Sequence, residues 1–135
     1  MIEPYRIEVE ITAPLYPTEV QERVEQAMTA LFPEAEIEAG TGELIGRARA
    51  MDHFAERLQE QSIVDTAREV FRRNVDGDTF SFALKKQAAY EGVVNFAVGN
   101  PDELGDLQVR VRVEEPDVEA FVDGLAPSTD AGSEP

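Results

Sequence analysis

The sequence predicts an α+β fold: a mostly antiparallel sheet with helices packed on one face, built from one domain over residues 1–127 and followed by a disordered acidic tail, 128–135. Three observations carry that expectation. Strict alternation of apolar and polar residues at Tyr5–Thr12 and Leu107–Val113 marks strands with one buried face. Apolar residues three and four apart mark amphipathic helices between such strands. The connections are hairpin-type turns, without the repeated spacing of βαβ units that a parallel sheet requires.

Taken in order, Tyr5, Ile7, Val9 and Ile11 open the fold as a strand that ends at Pro14 and Pro17. Thr18 with Gln21 reads as a capping box for a helix that buries Val20, Val24, Ala27, Met28 and Leu31 and stops at Pro33. Glu34 to Ala39 is a second strand, Gly40-Thr41-Gly42 a connection, and Glu43 to Ala50 a third strand with Arg47 and Arg49 on one side. Asp52 caps a short helix through Gln61 that buries Phe54, Ala55 and Leu58. Ser62 with Asp65 opens the next helix, whose stripe is Ile63, Val64, Ala67, Val70 and Phe71, with Arg68, Arg72 and Arg73 on its wet side. After the turn Asp76-Gly77-Asp78, Phe80, Phe82 and Leu84 form a strand, Lys85 to Glu91 two helical turns ended by Gly92, and Val94, Phe96 and Val98 a further strand. Gly99 to Asp102 is a turn, Leu107 to Val113 the clearest strand, and Pro116 introduces a last helix, Asp117 to Leu125.

Composition narrows the function classes. With 135 residues, 42% hydrophobic and 30% charged, the chain is globular. No apolar run is long enough to span a bilayer, and the N-terminal residues lack the order of a signal peptide, so a soluble, cytoplasmic protein is expected. The absence of cysteine excludes disulfides, thiolate metal sites and thiol nucleophiles. The 28 acidic residues against 12 basic ones give a net charge of −16, and only two of the bases are lysines. That pattern points to a halophilic, haloarchaeon-like source, where molar salt screens the self-repulsion; an ordinary acidic cytosolic protein is the alternative. Residues 42–113 form a nearly neutral island, with twelve acids and ten bases, between two strongly acidic ends. Its bases either form an anion-binding patch or pair with neighbouring acids. Arg110 and Arg112 either are contacts for such an anionic ligand or, if the first and last strands are neighbours, pair across the sheet with Glu8 and Glu10, and the structural pairing is the favoured reading.

Catalytic arrangements are absent. His53 is the single histidine, Asp76-x-Asp78 lacks the later ligands of a calcium loop, and Gly40 to Gly46 fits neither phosphate-binding glycine pattern. No catalytic residue, metal site or cofactor is expected, and the protein is read as a non-enzyme.

The segment Leu84-Lys85-Lys86-Gln87-Ala88-Ala89 runs from a strand into a basic, amide-bearing turn, which would present Lys85, Lys86 and Gln87 to solvent at the end of the sheet. It resembles the Leu-Asn-Lys-Gln-Ala-Ala signature of a small archaeal placeholder (UPF) family of uncharacterised proteins labelled as an RNA-binding domain, with Lys85 in place of Asn. Pro17-Thr18-Glu19, Ile63 to Arg68, Leu104 to Leu107 and Phe121 to Pro127 agree with that family in order, and the resemblance covers nearly all of residues 5–127. Gln59 departs from it, standing where a basic residue is expected. The resemblance implies a fold like that of ribosomal protein L-five. It also implies binding of structured RNA, for which Lys85, Lys86, Gln87, Arg68, Arg72, Arg47 and Arg49 are the candidate contacts. The competing function is a protein-interaction or assembly module that uses an exposed sheet edge or the acidic helix Thr18–Leu31, without nucleic acid.

Overall fold

The computed structural model describes residues 6–97, 105–115 and 117–127. Val98, the Gly99–Asp102 turn and the 128–135 tail of the sequence reading lie outside them. In chain order the elements are β1 (Arg6–Pro14), α1 (Gln21–Leu31), β2 (Glu36–Gly40), β3 (Glu43–Ala48), α2 (Asp52–Glu60), α3 (Val64–Arg73), β4 (Val75–Asp76), β5 (Thr79–Lys85), α4 (Lys86–Ala89), β6 (Asp106–Glu115) and α5 (Val118–Leu125). The described strands form one sheet in the order β2-β3-β1-β6-β5-β4. Every neighbouring pair is antiparallel, so the expected α+β class holds.

Alternation makes this sheet two-faced. Ile7, Val9, Ile11 and Ala13 of β1, Phe80, Phe82 and Leu84 of β5, and Leu107, Val109, Val111 and Val113 of β6 all point to one side and are buried. On that side lie Val24, Ala27, Met28 and Leu31 of α1, Phe54 and Leu58 of α2, Phe71 of α3 and Phe121 and Leu125 of α5. Phenylalanines knit the layers: Phe54 stacks on Phe32 with ring centroids 5.2 Å apart, and Phe71 meets Phe80 at 5.0 Å and Phe82 at 4.9 Å. Among the described residues nothing packs over the opposite face of the sheet, which is polar.

Helix starts differ from the sequence reading. Helix α1 begins at Gln21 with Val20 as its N-cap and no side-chain capping bond; Val20 is exposed rather than buried. The Thr18 capping box does not form; in the turn before the helix the Glu19 carboxylate accepts the Tyr16 N–H at 2.9 Å. Met51, not Asp52, is the N-cap of α2, and Ile63, not Ser62, that of α3. Ser62 has a left-handed backbone (φ 58°) and ends α2: its N–H reaches Gln59 O at 3.1 Å and the Ile63 N–H reaches Leu58 O at 3.0 Å. Those two bonds form a Schellman cap, which fixes Ser62 as a stop signal. Gly92 (φ 73°) ends the turn after α4 in the same way. Among the described helices only α5 starts with a polar side-chain cap, Asp117 accepting from Ala120 N at 2.8 Å. The strand expected at Val94–Val98 reduces, within the described residues, to an isolated bridge between Phe96 and Leu84. Among the described residues no helix is long and apolar enough to cross a membrane.

Candidate nucleic-acid interface

The uncovered sheet face is built by register. Glu10 of β1 lies opposite Arg47 of β3 on one side and Arg110 of β6 on the other. Two residues back, Glu8 lies opposite Arg112. Arg49 follows β3 one step beyond its last pair, Ala48 with Val9, on the side of Glu8. An acidic column on the central strand is thus flanked by two basic columns. Beyond them, Glu36 pairs with Arg47 and Ser81 with Arg110. The four arginines line a concavity of about 790 Å³, shared with Glu8, Glu10, Glu34 and Glu36. Four guanidiniums against four carboxylates make this patch near-neutral on a chain of net charge −16.

The ion pairs on this face are long and wet. Arg47 reaches Glu10 at 3.6 Å and Glu38 at 3.8 Å, with its side chain 59% exposed. Arg112 reaches Asp78 at 3.5 Å. The first and last strands are neighbours, which sets Glu8 opposite Arg112 and Glu10 opposite Arg110, but the ion pairs go elsewhere: Arg112 turns to Asp78 and Glu10 receives Arg47. Among the described residues, aromatic rings sit in the core or beside Glu19, so this face offers no stacking platform.

The seven candidate residues do not form one patch. Arg47 and Arg49 are exposed on the open face. Lys85 ends β5 on the same side of the sheet, half-buried, and shares a shallow cleft with the exposed Gln87 and with Asn95. Arg68 and Arg72 lie on α3, which packs on the opposite side of the sheet through Ala67 and Phe71. Arg68 is taken up by structure: it holds Asp123 at 2.7 Å and the Ala126 carbonyl at 3.1 Å, tying α3 to the end of α5. Arg72 is exposed near the C-terminus of α3.

Lys86 overturns the expectation that it faces solvent. Its side chain is 0% exposed, and its ammonium donates to both Glu19 oxygens at 3.0 Å and to the Pro14 carbonyl at 2.5 Å. The Tyr16 ring lies over it at 5.3 Å, and the Tyr90 hydroxyl donates to Glu19 at 3.4 Å. Burial first, then the Glu19 carboxylate, push the Tyr90 hydroxyl above its ordinary pKa. An ammonium with all three donors engaged and no contact with water is a clasp between the loop before α1 and α4. The same even-numbered parity that buries Phe80, Phe82 and Leu84 carries Lys86 inward, a signal already present in the sequence. Arg110 and Arg112, which complete the open face with Glu8 and Glu10, are offered by the sequence either as contacts or as strand-pairing partners, with pairing the favoured reading, and neither is among its seven candidate contacts. Among the described residues no group of three acidic or histidine side chains is gathered to hold a metal ion.

A family model described as RNA binding matches residues 8–114. A UPF0201 protein of Thermococcus onnurineus is 38% identical over 132 residues, covering 93% of this chain and 95% of that protein. A UPF0200/UPF0201 protein of Archaeoglobus fulgidus is 36% identical over 127 residues; the match covers 93% of this chain but 39% of that protein, so this chain spans well under half its length. The crystal structure of a UPF0201 protein from Methanococcus jannaschii superposes with a TM-score of 0.83 at 34% identity, covering 93% of this chain and 96% of that one.

Proposed function

From the premise that the chain belongs to the UPF0201 family and matches the family model described as RNA binding, we propose that it is a non-catalytic RNA-binding protein whose binding surface is the open face of the sheet. The observation that carries this reading is the set of four guanidiniums, Arg47, Arg49, Arg110 and Arg112, gathered in one concavity of an otherwise acidic molecule. Exposed ion pairs are worth about 0–1 kcal/mol, so a phosphate can draw a guanidinium away from Glu10 or Asp78 at little cost. Arginine then meets the phosphate through its planar fork of donors. Lys86 and Arg68 are spent on structure and support the surface only indirectly. If the protein works in concentrated salt, counterion release contributes little, and hydrogen bonds and shape must supply the affinity.

Crosslinking in cells at native salt, followed by purification, is expected to recover RNA with the protein. Arg47→Glu combined with Arg110→Glu should abolish recovery while leaving the circular dichroism spectrum unchanged. For either single variant, which keeps part of the surface, the salt dependence of binding should flatten by about one unit of slope per phosphate contact removed. The reading is overturned if no RNA is retained at any salt where the protein is folded, or if the double variant retains as much. Recovery of a stoichiometric protein partner without RNA would instead support the interaction-module function.

A further inference from the structure

Granted that RNA is the ligand of the open face, we infer that this face reads double-helical RNA across its minor groove, its two arginine columns on the phosphate rails and Glu8 and Glu10 on the hydrogen-bond donors between them. The pattern of charge is what selects the duplex. Arg47, Glu10 and Arg110 lie in one row across β3, β1 and β6, and the Glu8–Arg112 row repeats half of that order. Two strand spacings separate the basic columns by about 10 Å, and residues two apart along β6 lie about 7 Å apart. A single strand laid along the middle of the face would bring its phosphates against Glu8 and Glu10. Two phosphate rails with donors between them avoid that repulsion.

The A-form minor groove supplies that arrangement, because it is wide and shallow and displays 2′-hydroxyls and base edges between its backbones. Ionised carboxylates accept hydrogen bonds and donate none, so Glu8 and Glu10 select 2′-hydroxyl and guanine amino groups. Duplex DNA lacks the hydroxyl, and its minor groove is only about 6 Å wide. All four arginines line one concavity of about 790 Å³, so a ligand seated there meets both basic columns at once. Unstacked bases, by contrast, find no aromatic ring on this face among the described residues.

The test uses the full chain and four fluorescent probes of one sequence, about 16 base pairs or nucleotides long: RNA duplex, DNA duplex, single-stranded RNA, and an RNA duplex carrying 2′-fluoro groups, which stays A-form but cannot donate. Anisotropy titrations in KCl should show the RNA duplex binding at least about tenfold more tightly than DNA duplex or single-stranded RNA, with the 2′-fluoro duplex several-fold weaker. Glu8→Met with Glu10→Met should tighten binding to every probe by removing negative charge, while the RNA-over-DNA ratio falls toward one. Equal binding of single-stranded RNA, or of the 2′-fluoro and natural duplexes, overturns the duplex inference and leaves RNA binding standing. Failure of every probe to bind overturns both.

Discussion

Two regions of this protein hold a cation against a carboxylate, and water gives them opposite properties. In the clasp, Lys86 and Glu19 are 0% and 5% exposed, and both carboxylate oxygens lie 3.0 Å from the ammonium. On the open face, Arg47 and Glu10 are 59% and 49% exposed, and they approach only to 3.6 Å. Desolvation makes the first pair obligatory, because neither charge can be left alone in the interior. Solvent makes the second exchangeable, because either charge can return to water or to another ion. The family-signature segment therefore holds structure through Lys86, while the proposed recognition rests on arginines of separate strands.

The largest expected effect breaks the clasp. Lys86→Met strands the Glu19 carboxylate in the core and should cost about 3–5 kcal/mol in urea unfolding. Adding Glu19→Met should restore most of that loss, because two apolar side chains fill the site without an unpaired charge. If Lys86→Met unfolds at nearly the wild-type urea concentration, the clasp is not obligatory. A smaller effect is expected beside it. Gly105 has φ 82°, and a Cβ there would lie 2.6 Å from Pro14 Cγ and 3.1 Å from the Tyr16 hydroxyl. Gly105→Ala should therefore destabilise by about 1–3 kcal/mol, through backbone strain and displacement of the two residues that cover Lys86. An alanine variant as stable as wild type would show that this cover is loose.

Alkaline titration examines the clasp from its third member. Burial and then the Glu19 carboxylate raise the Tyr90 hydroxyl, partly opposed by Arg23. A group whose folded pKa is raised contributes stability that is intact below its unfolded value, 10.0 here, and is lost as pH rises through the folded value. Wild-type protein should lose stability above about pH 10 more steeply than Tyr90→Phe. Identical pH profiles for the two proteins would separate Tyr90 from the clasp.

How much of this was legible in the sequence depends on the range of the interaction. Alternation in β1 and β6 is local, and burial of one face enforces it, so these strands and their outward charged residues follow from the sequence, while the Glu10–Arg110 register is set by the pairing itself. Helix starts were less legible, since α1, α2 and α3 begin after Val20, Met51 and Ile63, none of which can make a side-chain cap. Glu19 is bonded to Lys86, 67 residues away, and Ser62 was required in the left-handed region to end α2. The same distance hid the role of Lys86: parity indicates that it points inward, but nothing near it in sequence supplies the carboxylate that makes a buried ammonium tolerable. The open face was half legible, because Arg47 and Arg49 were singled out while their place opposite β1 depends on the order of strands.

The smallest expected effect sharpens the other side of the comparison. A double-mutant cycle with Arg47→Gln and Glu10→Gln should give a coupling energy of no more than about 0.5 kcal/mol, since both side chains are wet and Arg47 also reaches Glu38. Raising KCl from about 0.1 to 2 M shortens the Debye length to about 3 Å or less and should erase even that coupling. The wild-type melting midpoint should nevertheless rise over the same range, because 28 carboxylates against 12 bases repel one another and screening relieves the repulsion. The Lys86–Glu19 coupling, measured by the corresponding cycle, should hardly change, as ions have no access to it. A large, salt-resistant coupling between Arg47 and Glu10 would mean that the open face is as fixed as the clasp, and a phosphate could no longer take its arginines at little cost.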